Sequence, residues 1–369
     1  MLYKNLVKKV SISPEIKTKQ KNYLDKGALP IIDQGQEIIG GYTNNPDLQL
    51  PCSLPVIVFG DHTRAVKYID FPFCAGADGI KVLQPNEGIV PKYLYYATQY
   101  LVLRLEDRGY ARHYQYIEKK ELAVPDVEEQ KRIVAKIEEL FSELDNGVAT
   151  LKKTKQQLSV YRQAVLKEAF SSCTKTITVE SVCQHVTDGD HMPPPKTKDG
   201  IPFIMISNIE NHIIDWSNTA FVGHEYYNNI DDKRRPSKGD VLYTVTGSYG
   251  IPVLIDFEKK FCFQRHIALL RPKNNINQKF LYYAMQEPGV YSQATKGATG
   301  TAQKTVGLAV LRKIQIPFCD DVDTQIEIVN DIEAKMSLCD SIERTVDTAL
   351  QQAEAMRQSI LKKAFEGKL

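Results

Sequence analysis

The longest regular pattern in the chain is an apolar position that repeats every seven residues over 126–170, and the pattern recurs over 321–365, 195 residues later. This spacing predicts, for each stretch, one amphipathic helix about 65 Å long. The repeated position is filled by Ile137, Leu144, Leu151, Leu158 and Val165 in the first stretch and by Ile332, Cys339, Val346, Ala353 and Ile360 in the second. A helix of that length cannot bury its apolar stripe alone, so we expect the two helices to pack against each other.

The starts of both predicted helices carry capping signals, whereas a neighbouring seam is less apolar. Asp126 with Glu129 has the capping-box spacing, and Asp321 stands at the equivalent place in the second copy. The neighbouring seam is less uniformly apolar, which predicts looser packing along it. It is filled by Ile133, Leu140, Gly147, Thr154 and Tyr161 in the first copy and by Ile328, Lys335, Ile342, Ala349 and Met356 in the second. The 45 aligned residues show no gap between the copies, and the chain is therefore a tandem duplication.

The helices divide the chain into segments 1–124, 125–170, 171–317 and 318–369. In the first segment, short apolar runs ended by Gly and Pro at 29–35, 55–60 and 71–76 predict short strands. A helix over 92–105, a basic aromatic loop over 108–116 and a last strand ending at Val124 follow. The third segment has the same order with longer loops. Its residues 279–284 match 92–97, and Gln303 matches Gln115. The pattern predicts two homologous domains with different loops. Such a pair is typical of two recognition domains that bind different targets.

Composition limits the class of protein. The chain has 369 residues, of which 43% are hydrophobic, enough for two domains beside the long helices. No stretch approaches the ~20 apolar residues that span a bilayer, and the first residues lack the apolar core of a secretory signal, so we expect a cytoplasmic protein. The seven cysteines form no Cys-x-x-Cys pair, which favours free or buried thiols over a disulfide framework or a zinc site.

The net charge of +2 hides a segregation along the chain. Residues 1–124 carry 16 Lys and Arg against 13 Asp and Glu, and residues 171–317 carry 17 against 13. The first helix is balanced at 8 against 8, while residues 318–369 carry 6 against 11. This distribution suits two DNA-facing domains and helices that face protein.

The chain resembles the specificity (S) subunit of type I restriction-modification systems over essentially its whole length. The resemblance is carried by residues 123–134, AVPDVEEQKRIV, close to the family's P-L-P-P-x-x-E-Q entry into a long helix, and by the two helices. Residues 239–242, Asp188-Gly-x-His191 and the terminal 364–369 support it. The chain departs from the pattern at Asp126 and again before Gln325, where the second proline and the Glu are missing.

The resemblance implies an α+β protein in which two homologous target recognition domains, at 1–124 and 171–317, are separated by two long antiparallel coiled-coil helices with a pseudo-two-fold internal repeat. Each domain would read one half of a bipartite double-stranded DNA site. The helices would set the gap and dock two modification subunits. Those partners would bind S-adenosylmethionine and methylate adenine, and a restriction subunit with motor and nuclease activity, using ATP and Mg²⁺, would join for restriction.

The sequence itself holds no catalytic motif that we recognise. It lacks the Gly-rich loop and the Asn/Asp-Pro-Pro-aromatic loop of an adenine methyltransferase, and it has no ATPase phosphate loop. Asp188 to His191 cannot supply a full set of metal ligands, and residues 246–250 are typical of a β-turn. We therefore expect no cofactor, no metal and no chemical step in this chain.

Reading DNA requires cations for phosphates and forked or amide side chains for base edges. The candidates of the first domain lie on the turn 60–64 and in the loop 108–116, and are His62, Arg64, Arg108, Arg112, His113, Tyr114 and Gln115. Those of the second domain are Lys233, Arg234, Arg235, Ser248, Tyr249, Arg265, His266, Lys296, Thr299, Gln303 and Lys304. Glycines in both sets allow a phosphate backbone to come close.

Two alternatives stay open on the sequence. The chain could be the specificity partner of a fused nuclease-methyltransferase, which its co-purified subunits would reveal. It could also be a coiled-coil scaffold without a DNA role, which would show no steep loss of DNA affinity with salt.

Overall fold

The computed structural model describes residues 1–76, 79–106, 109, 111–191 and 194–369, which form two compact units. Unit 1 comprises Met1–Lys152 and Val346–Leu369, and unit 2 comprises Lys153–Thr345. Each unit therefore contains one recognition segment and a part of both long helices.

Unit 1 is built on an antiparallel sheet and contains a part of each long helix. In chain order the described elements are β1 (Val7–Val10), β2 (Leu29–Ile32), β3 (Gly41–Thr43), β4 (Val56–Gly60), β5 (Val66–Ile69), β6 (Cys74–Ala75), β7 (Ile80–Pro85), α1 (Pro91–Leu103), α2 (Tyr114–Ile117) and α3 (Val127–Ala169), which continues into unit 2. The main sheet has the strand order β1-β7-β4-β5, and a smaller sheet has the order β3-β2-β6. All five residues of β4 are buried, so the main sheet forms the centre of the core.

Unit 2 has more elements because its loops are longer. After α3 they are β8 (Lys175–Thr178), α4 (Val179–Val182), β9 (Cys183–Asp188), β10 (Lys196–Thr197), β11 (Ile201–Ile204), β12 (Ile209–Glu210), β13 (Ile213–Ile214), β14 (Ala220–Val222), α5 (His224–Asn229), β15 (Val241–Thr244), β16 (Pro252–Leu254), β17 (Cys262–Phe263), β18 (Ile267–Pro272), α6 (Gln278–Ala284), α7 (Pro288–Gly297), α8 (Leu308–Lys313), β19 (Gln315–Phe318) and α9 (Val322–Phe365), which continues into unit 1. Its main sheet has the order β16-β15-β18-β9, and a second sheet has the order β10-β14-β11-β17.

The two units share one topology. Strands β1, β7, β4 and β5 correspond to β9, β18, β15 and β16 in the same order and all antiparallel. In each smaller sheet a central strand pairs antiparallel on one side and parallel on the other, as β2 does with β3 and β6 and β11 with β14 and β17. The predicted homology of the two mixed domains is confirmed at the level of strand order.

Within unit 1, the start of α3 packs against the end of α9 with the two helices antiparallel. Ile137 and Phe141 share a buried cluster with Leu361 and Ala364. Farther along, Arg357 pairs with Asp145 and lies 4.3 Å from the ring centre of Phe141. As residue numbers rise along α3, they therefore fall along α9.

Within unit 2, the end of α3 meets the start of α9 in the same way. Arg162 pairs with Asp340 at 2.7 Å and approaches the sulfur of Met336 at 3.8 Å. These three residues stand 195 positions from Arg357, Asp145 and Phe141, respectively, so the duplicated sequence makes the same contact twice. Leu166 and Ile332 lie in the buried cluster of this unit.

Burial follows the predicted stripe. Ile137, Leu158, Val165, Ile332, Cys339, Val346 and Ala353 are buried, while Leu144, Leu151 and Ile360 are partly buried. On the seam predicted to be looser, Tyr161 is 47% exposed and Met356 is 55% exposed. The helix caps are confirmed, since Asp126 accepts a hydrogen bond from the Glu129 amide at 2.9 Å and Asp321 accepts one from the Thr324 amide at 2.8 Å.

Two expectations from the sequence are wrong. Cys173 and Cys319 form a disulfide rather than free thiols, because β8 and β19 pair antiparallel and bring their flanking residues to a Cα–Cα distance of 5.5 Å. The remaining five cysteines are free. The strand expected to end at Val124 does not form. Glu121 makes an isolated bridge to Leu2, flanked by backbone hydrogen bonds from the Tyr3 amide to the Lys120 carbonyl at 2.8 Å and from the Leu122 amide to the Met1 carbonyl at 2.9 Å. The pairing stays this short because Tyr3–Asn5 turns into a 3-10 helix. Among the described residues, no helix has the length and apolar character needed to cross a membrane.

Candidate nucleic-acid interface

In unit 1, three connections emerge at one end of the main sheet. Gly60 at the end of β4 faces Ile80 at the start of β7, and Phe59 faces Val66 at the start of β5. The turn 61–65 and the segment that leads into β7 therefore leave the sheet side by side. The loop 33–36 joins them, because the Thr63 hydroxyl donates to the Gln34 backbone carbonyl and the Gln36 side-chain Nε2 donates to the Thr63 backbone carbonyl at 3.4 Å.

His62 and Arg64 lie on this turn, as the sequence predicts. Arg64 has a φ of 60° and its amide donates to the Gly60 carbonyl at 2.8 Å, which closes a tight turn. Gly79, with a φ of 99°, faces Gln34 across the loops, where an added Cβ would come within 2.6 Å of the Gln34 Oε1. The backbone is thus packed closely around two partly exposed basic side chains.

The basic aromatic loop divides into inward and outward residues. His113 and Tyr114 are buried, contrary to a direct role at a DNA surface. The carboxylate of Asp61 accepts from the Tyr114 amide at 2.8 Å, and the Asp61 carbonyl accepts from the His113 amide at 2.8 Å. These bonds anchor the loop to the end of β4. Arg112 and Gln115 are exposed, and Arg108 lies outside the described residues.

In unit 2 the corresponding end of the sheet forms a cleft. Thr244 faces Ile267 and Ala268 faces Asp188, so the connections after β9 and β15 and before β18 meet there. Two pockets, which we call the lobes of the cleft, lie along the segment 188–191. One has a volume of about 430 Å³ and is lined in part by Gly189 and Asp190, and the other has a volume of about 380 Å³ and is lined in part by Asp188 and His191. The lobe of 380 Å³ is lined by Asp188, His191, Thr246, Arg265, His266, Gln303 and neighbouring apolar residues. Residues far apart in sequence, including three predicted candidates, thus come together.

The charges in this lobe are arranged around Asp188. Its carboxylate lies 2.9 Å from the His191 Nε2 and 3.6 Å from the Arg234 guanidinium. Burial and, second, the nearby Arg265 guanidinium lower the pKa of His266. This favours the uncharged form of His266 near neutral pH, whereas the exposed Arg265 keeps a permanent positive charge in the cleft.

The Gly-rich loop 296–304, which contains Gly297 and Gly300, closes another side of the lobe. Thr299 and Thr305 exchange two backbone hydrogen bonds of 2.9 and 2.7 Å, and the Gly247 amide donates to the Lys304 carbonyl at 2.9 Å. Gln303 and Lys304 are exposed at the tip. The expected match of Gln303 with Gln115 is not reproduced, because Gln115 lies in helix α2 whereas Gln303 lies in a bend before α8.

The remaining candidates of unit 2 differ in the exposure and hydrogen bonding of their side chains. Ser248, Lys296, Thr299 and Lys233 are exposed. Tyr249 instead stacks on Tyr291 with ring centres 5.8 Å apart and donates to the Thr295 hydroxyl. The Arg235 guanidinium donates to the carbonyls of Ile230 and Asn228 at 2.9 and 2.7 Å. We conclude that Tyr249 and Arg235 shape the loops rather than extend from them.

Sequence reasoning missed the loop 33–36 and the second lobe of the cleft. Gln34 and Gln36 are amide side chains in a Gly-containing connection between strands, a signal equal to the one that selected Gln115. In the second lobe the Tyr226 hydroxyl donates to the Asp190 carboxylate at 2.5 Å, beside Asn229 and Arg234. Nothing in the sequence spacing links Tyr226 to Asp190.

The arrangement is suited to hydrogen bonding and charge pairing. Across residues 1–76, 79–106, 109, 111–191 and 194–369, no group of three or more His, Cys, Asp and Glu side chains could hold a metal ion. What both units present at the sheet end are cations, amides and hydroxyls, which are the groups that contact phosphates and base edges. Two units of one topology, each with such loops at the same end of its sheet, define a duplicated recognition protein.

The chain belongs to the type I restriction modification DNA specificity domain family, whose model matches residues 10–159 and 175–352. It is 27% identical over 278 residues to the type I restriction enzyme EcoBI specificity subunit of Escherichia coli, with 67% of this chain and 58% of that protein covered. It is 24% identical to the EcoR124I/EcoR124II specificity subunit of E. coli, with 92% and 88% covered. The chain thus spans less than two thirds of the EcoBI subunit but most of the EcoR124I subunit.

Solved structures show the same fold. A chain from a study of complex assembly and conformational transition in the type I R-M system matches with a TM-score of 0.71 at 16% identity, covering 100% of this chain and 97% of the other. The HsdS subunit from Thermoanaerobacter tengcongensis matches with a TM-score of 0.54 at 17% identity, covering 100% and 96%.

Proposed function

We propose that this chain is the DNA sequence-specificity subunit of a type I restriction-modification complex, with no catalytic step of its own. The observation that carries the proposal is the repeated topology with unlike loops at the same sheet end of each unit. Because the scaffold is shared and the loops differ, each unit reads a different half of a bipartite, asymmetric double-stranded DNA site.

The DNA contacts that we propose come from the accessible side chains at these sheet ends. Unit 1 contributes His62, Arg64, Arg112 and Gln115, and unit 2 contributes Lys233, Arg234, Ser248, Arg265, His266, Lys296, Thr299, Gln303 and Lys304. The support is that the side chains of these residues are exposed or partly exposed, and that Arg265, His266 and Gln303 line one lobe of the cleft. Arg108 is proposed from the sequence alone, because it lies outside the described residues. His113, Tyr114, Tyr249 and Arg235 hold these loops in shape.

The long helices act as spacer and docking surface in this proposal. Their antiparallel contacts, made once within each unit by equivalent residues, support a coiled-coil pair with a pseudo-two-fold internal repeat. Two identical modification subunits dock on such a repeat, bind S-adenosylmethionine and methylate adenine in each half-site. Restriction, with ATP and Mg²⁺, belongs to a further subunit. The complex works on DNA in the cytoplasm.

The test is the adenine methylation pattern of cells that express this chain with its modification partner. We expect one bipartite motif with a fixed gap, because two rigid readers bind at a fixed separation. Replacing residues 1–124 with the corresponding domain of another family member should change one half of that motif. An active complex that methylates a continuous motif, or a replacement that changes both halves, would contradict the proposal.

A further inference from the structure

A buried glutamine occupies the same place near the start of each long helix. Gln130 is 1% exposed and Gln325 is 0% exposed, and they stand 195 residues apart in the duplicated sequence. A buried amide side chain must find hydrogen-bond partners, since leaving its groups unpaired is costly. The partners of these two residues show what the glutamine does.

In unit 1, Gln130 joins three pieces of chain. Its Oε1 accepts from the Val90 amide at 2.8 Å, and Val90 is the N-cap residue of α1. Its Nε2 donates to the Pro125 carbonyl at 2.9 Å and to the Gly88 carbonyl at 3.0 Å. One side chain therefore ties the long helix to the segment that enters it and to the first helix of the recognition domain.

In unit 2, Gln325 makes two corresponding contacts, although the carbonyl before the helix lies one position earlier than in unit 1. Its Oε1 accepts from the Asn277 amide at 2.8 Å, and Asn277 is the N-cap residue of α6. Its Nε2 donates to the Cys319 carbonyl at 2.9 Å, just before α9. The preceding residue differs between the copies, Glu129 in one and Thr324 in the other. The glutamine and its bonds are thus shared even where adjacent positions and the reading loops are not.

A second link between each recognition domain and its helix is exposed. Lys92 pairs with Glu138 at 2.5 Å, and the equivalent Lys279 pairs with Glu333 at 2.7 Å. Their side chains are 38–46% exposed, so salt screens both pairs. The bonds of the buried glutamine, unlike these two ion pairs, do not depend on ionic strength.

We propose that Gln130 and Gln325 are positioning residues for DNA recognition, each fixing one recognition domain in register on its long helix. The inference rests on the proposed function, in which the helices set the gap between half-sites. A domain that is loosened on its helix keeps its reading loops but loses its defined distance from the second domain. Register, rather than base recognition, is therefore what the glutamine controls.

The test is the methylated motif of the assembled complex carrying Gln130→Met, which keeps the side-chain volume and removes the amide. We expect both half-site sequences to be retained, while methylation at the wild-type gap falls by about ten- to a hundredfold, the order that a misplacement of about 1 Å costs. Sites with a gap one base pair longer or shorter should gain methylation. Gln325→Met should do the same, and Glu129→Thr, which installs the residue of the second copy, should leave the motif unchanged.

Reduced methylation at an unchanged gap, or no change at all, would overturn the positioning role, because a general loss of stability lowers activity without creating new gap lengths. If Gln130→Met does not assemble, Gln130→Glu retains an acceptor for the Val90 amide and is scored in the same way. A wild-type complex without a gapped bipartite motif would instead reject the proposed function, and so the two failures can be told apart.

Discussion

Among the basic side chains of unit 2, hydrogen bonding separates those that build the loops from those that extend into solvent. Arg271 forms a bidentate pair with the buried Asp240 at 2.8 and 3.0 Å, and Arg235 binds two backbone carbonyls. The Arg265 side chain makes a long hydrogen bond of 3.4 Å to the His266 Nε2 and is exposed in the cleft. The sequence shows which residues are arginines. It does not show which backbone carbonyls lie within hydrogen-bond distance of each guanidinium, because the fold brings those carbonyls into place.

Replacing Arg265 with Ala should weaken binding to the cognate duplex by about ten- to a hundredfold, because a forked contact to a base is worth about 1–3 kcal/mol. Fluorescence polarisation of the assembled complex at fixed salt measures this, with a scrambled duplex for comparison. The thermal midpoint should stay unchanged, since the side chain is exposed.

The matched control for that experiment is Arg235→Ala. It should lower the thermal midpoint because the carbonyls of Ile230 and Asn228 lose their donor, while the preference for the cognate duplex is retained. An equal loss on cognate and scrambled duplexes for Arg265→Ala would assign Arg265 to a phosphate, and unaltered binding to both would remove it from the interface.

At the scale of elements, the regular parts were predictable and the irregular parts were not. The seven-residue period located both long helices within a residue or two of α3 and α9, because a periodic stripe is written locally in the sequence. The Cys173–Cys319 disulfide spans 146 residues and depends on the pairing of β8 with β19, which no local pattern reveals. Two helices, α6 and α7, precede the Gly-rich loop 296–304, whereas the single helix α1 precedes the loop 108–116. The two loops therefore do not align as the sequence comparison predicts.

The packing between the helices predicts unequal effects for two isoleucines of α9. Ile332 is fully buried, so Ile332→Ala should lower the free energy of unfolding of unit 2 by about 2–4 kcal/mol. Ile342 is 37% exposed, and Ile342→Ala should change it by no more than about 0.5–1 kcal/mol. Urea unfolding followed by circular dichroism compares the two variants. Equal losses would show that the looser seam contributes as much to the helix pair as the buried stripe does.

At the scale of the whole molecule, the domain count and duplication followed from the sequence, whereas the composition of each unit did not. Segments 1–124 and 171–317 account for the sheets, but unit 1 also includes Val346–Leu369. There Phe365 stacks on Tyr100 with ring centres 5.3 Å apart. In unit 2 the equivalent Phe170 meets Phe280 at 5.4 Å. The periodicity of a helix does not show which core the end of that helix packs against, because this packing depends on the tertiary structure.

Inserting one heptad at Gly147 and another at Ile342 should lengthen the gap between half-sites without changing either half. Seven residues add about 10.5 Å to each helix, equal to about three base pairs at 3.4 Å each. Gly147 is exposed, with no neighbouring atom within 4 Å of an added Cβ, so the insertion should be tolerated there. The methylated motif reports the gap, and its retention at the original length would show that the helices do not set it.

The sharing of each core between distant parts of the chain has a consequence for synthesis. Asp145 and Arg357 are 212 residues apart, and Leu361 and Ala364 complete the buried cluster that Tyr3 and Leu6 begin. During translation the surface of the first recognition segment that α9 covers therefore stays open until the whole second segment has been made. Contacts this distant in sequence form slowly, and exposed apolar surface favours aggregation meanwhile. Unit 1, which contains the first residues to be made, thus completes its core only after residues 346–369 have been made.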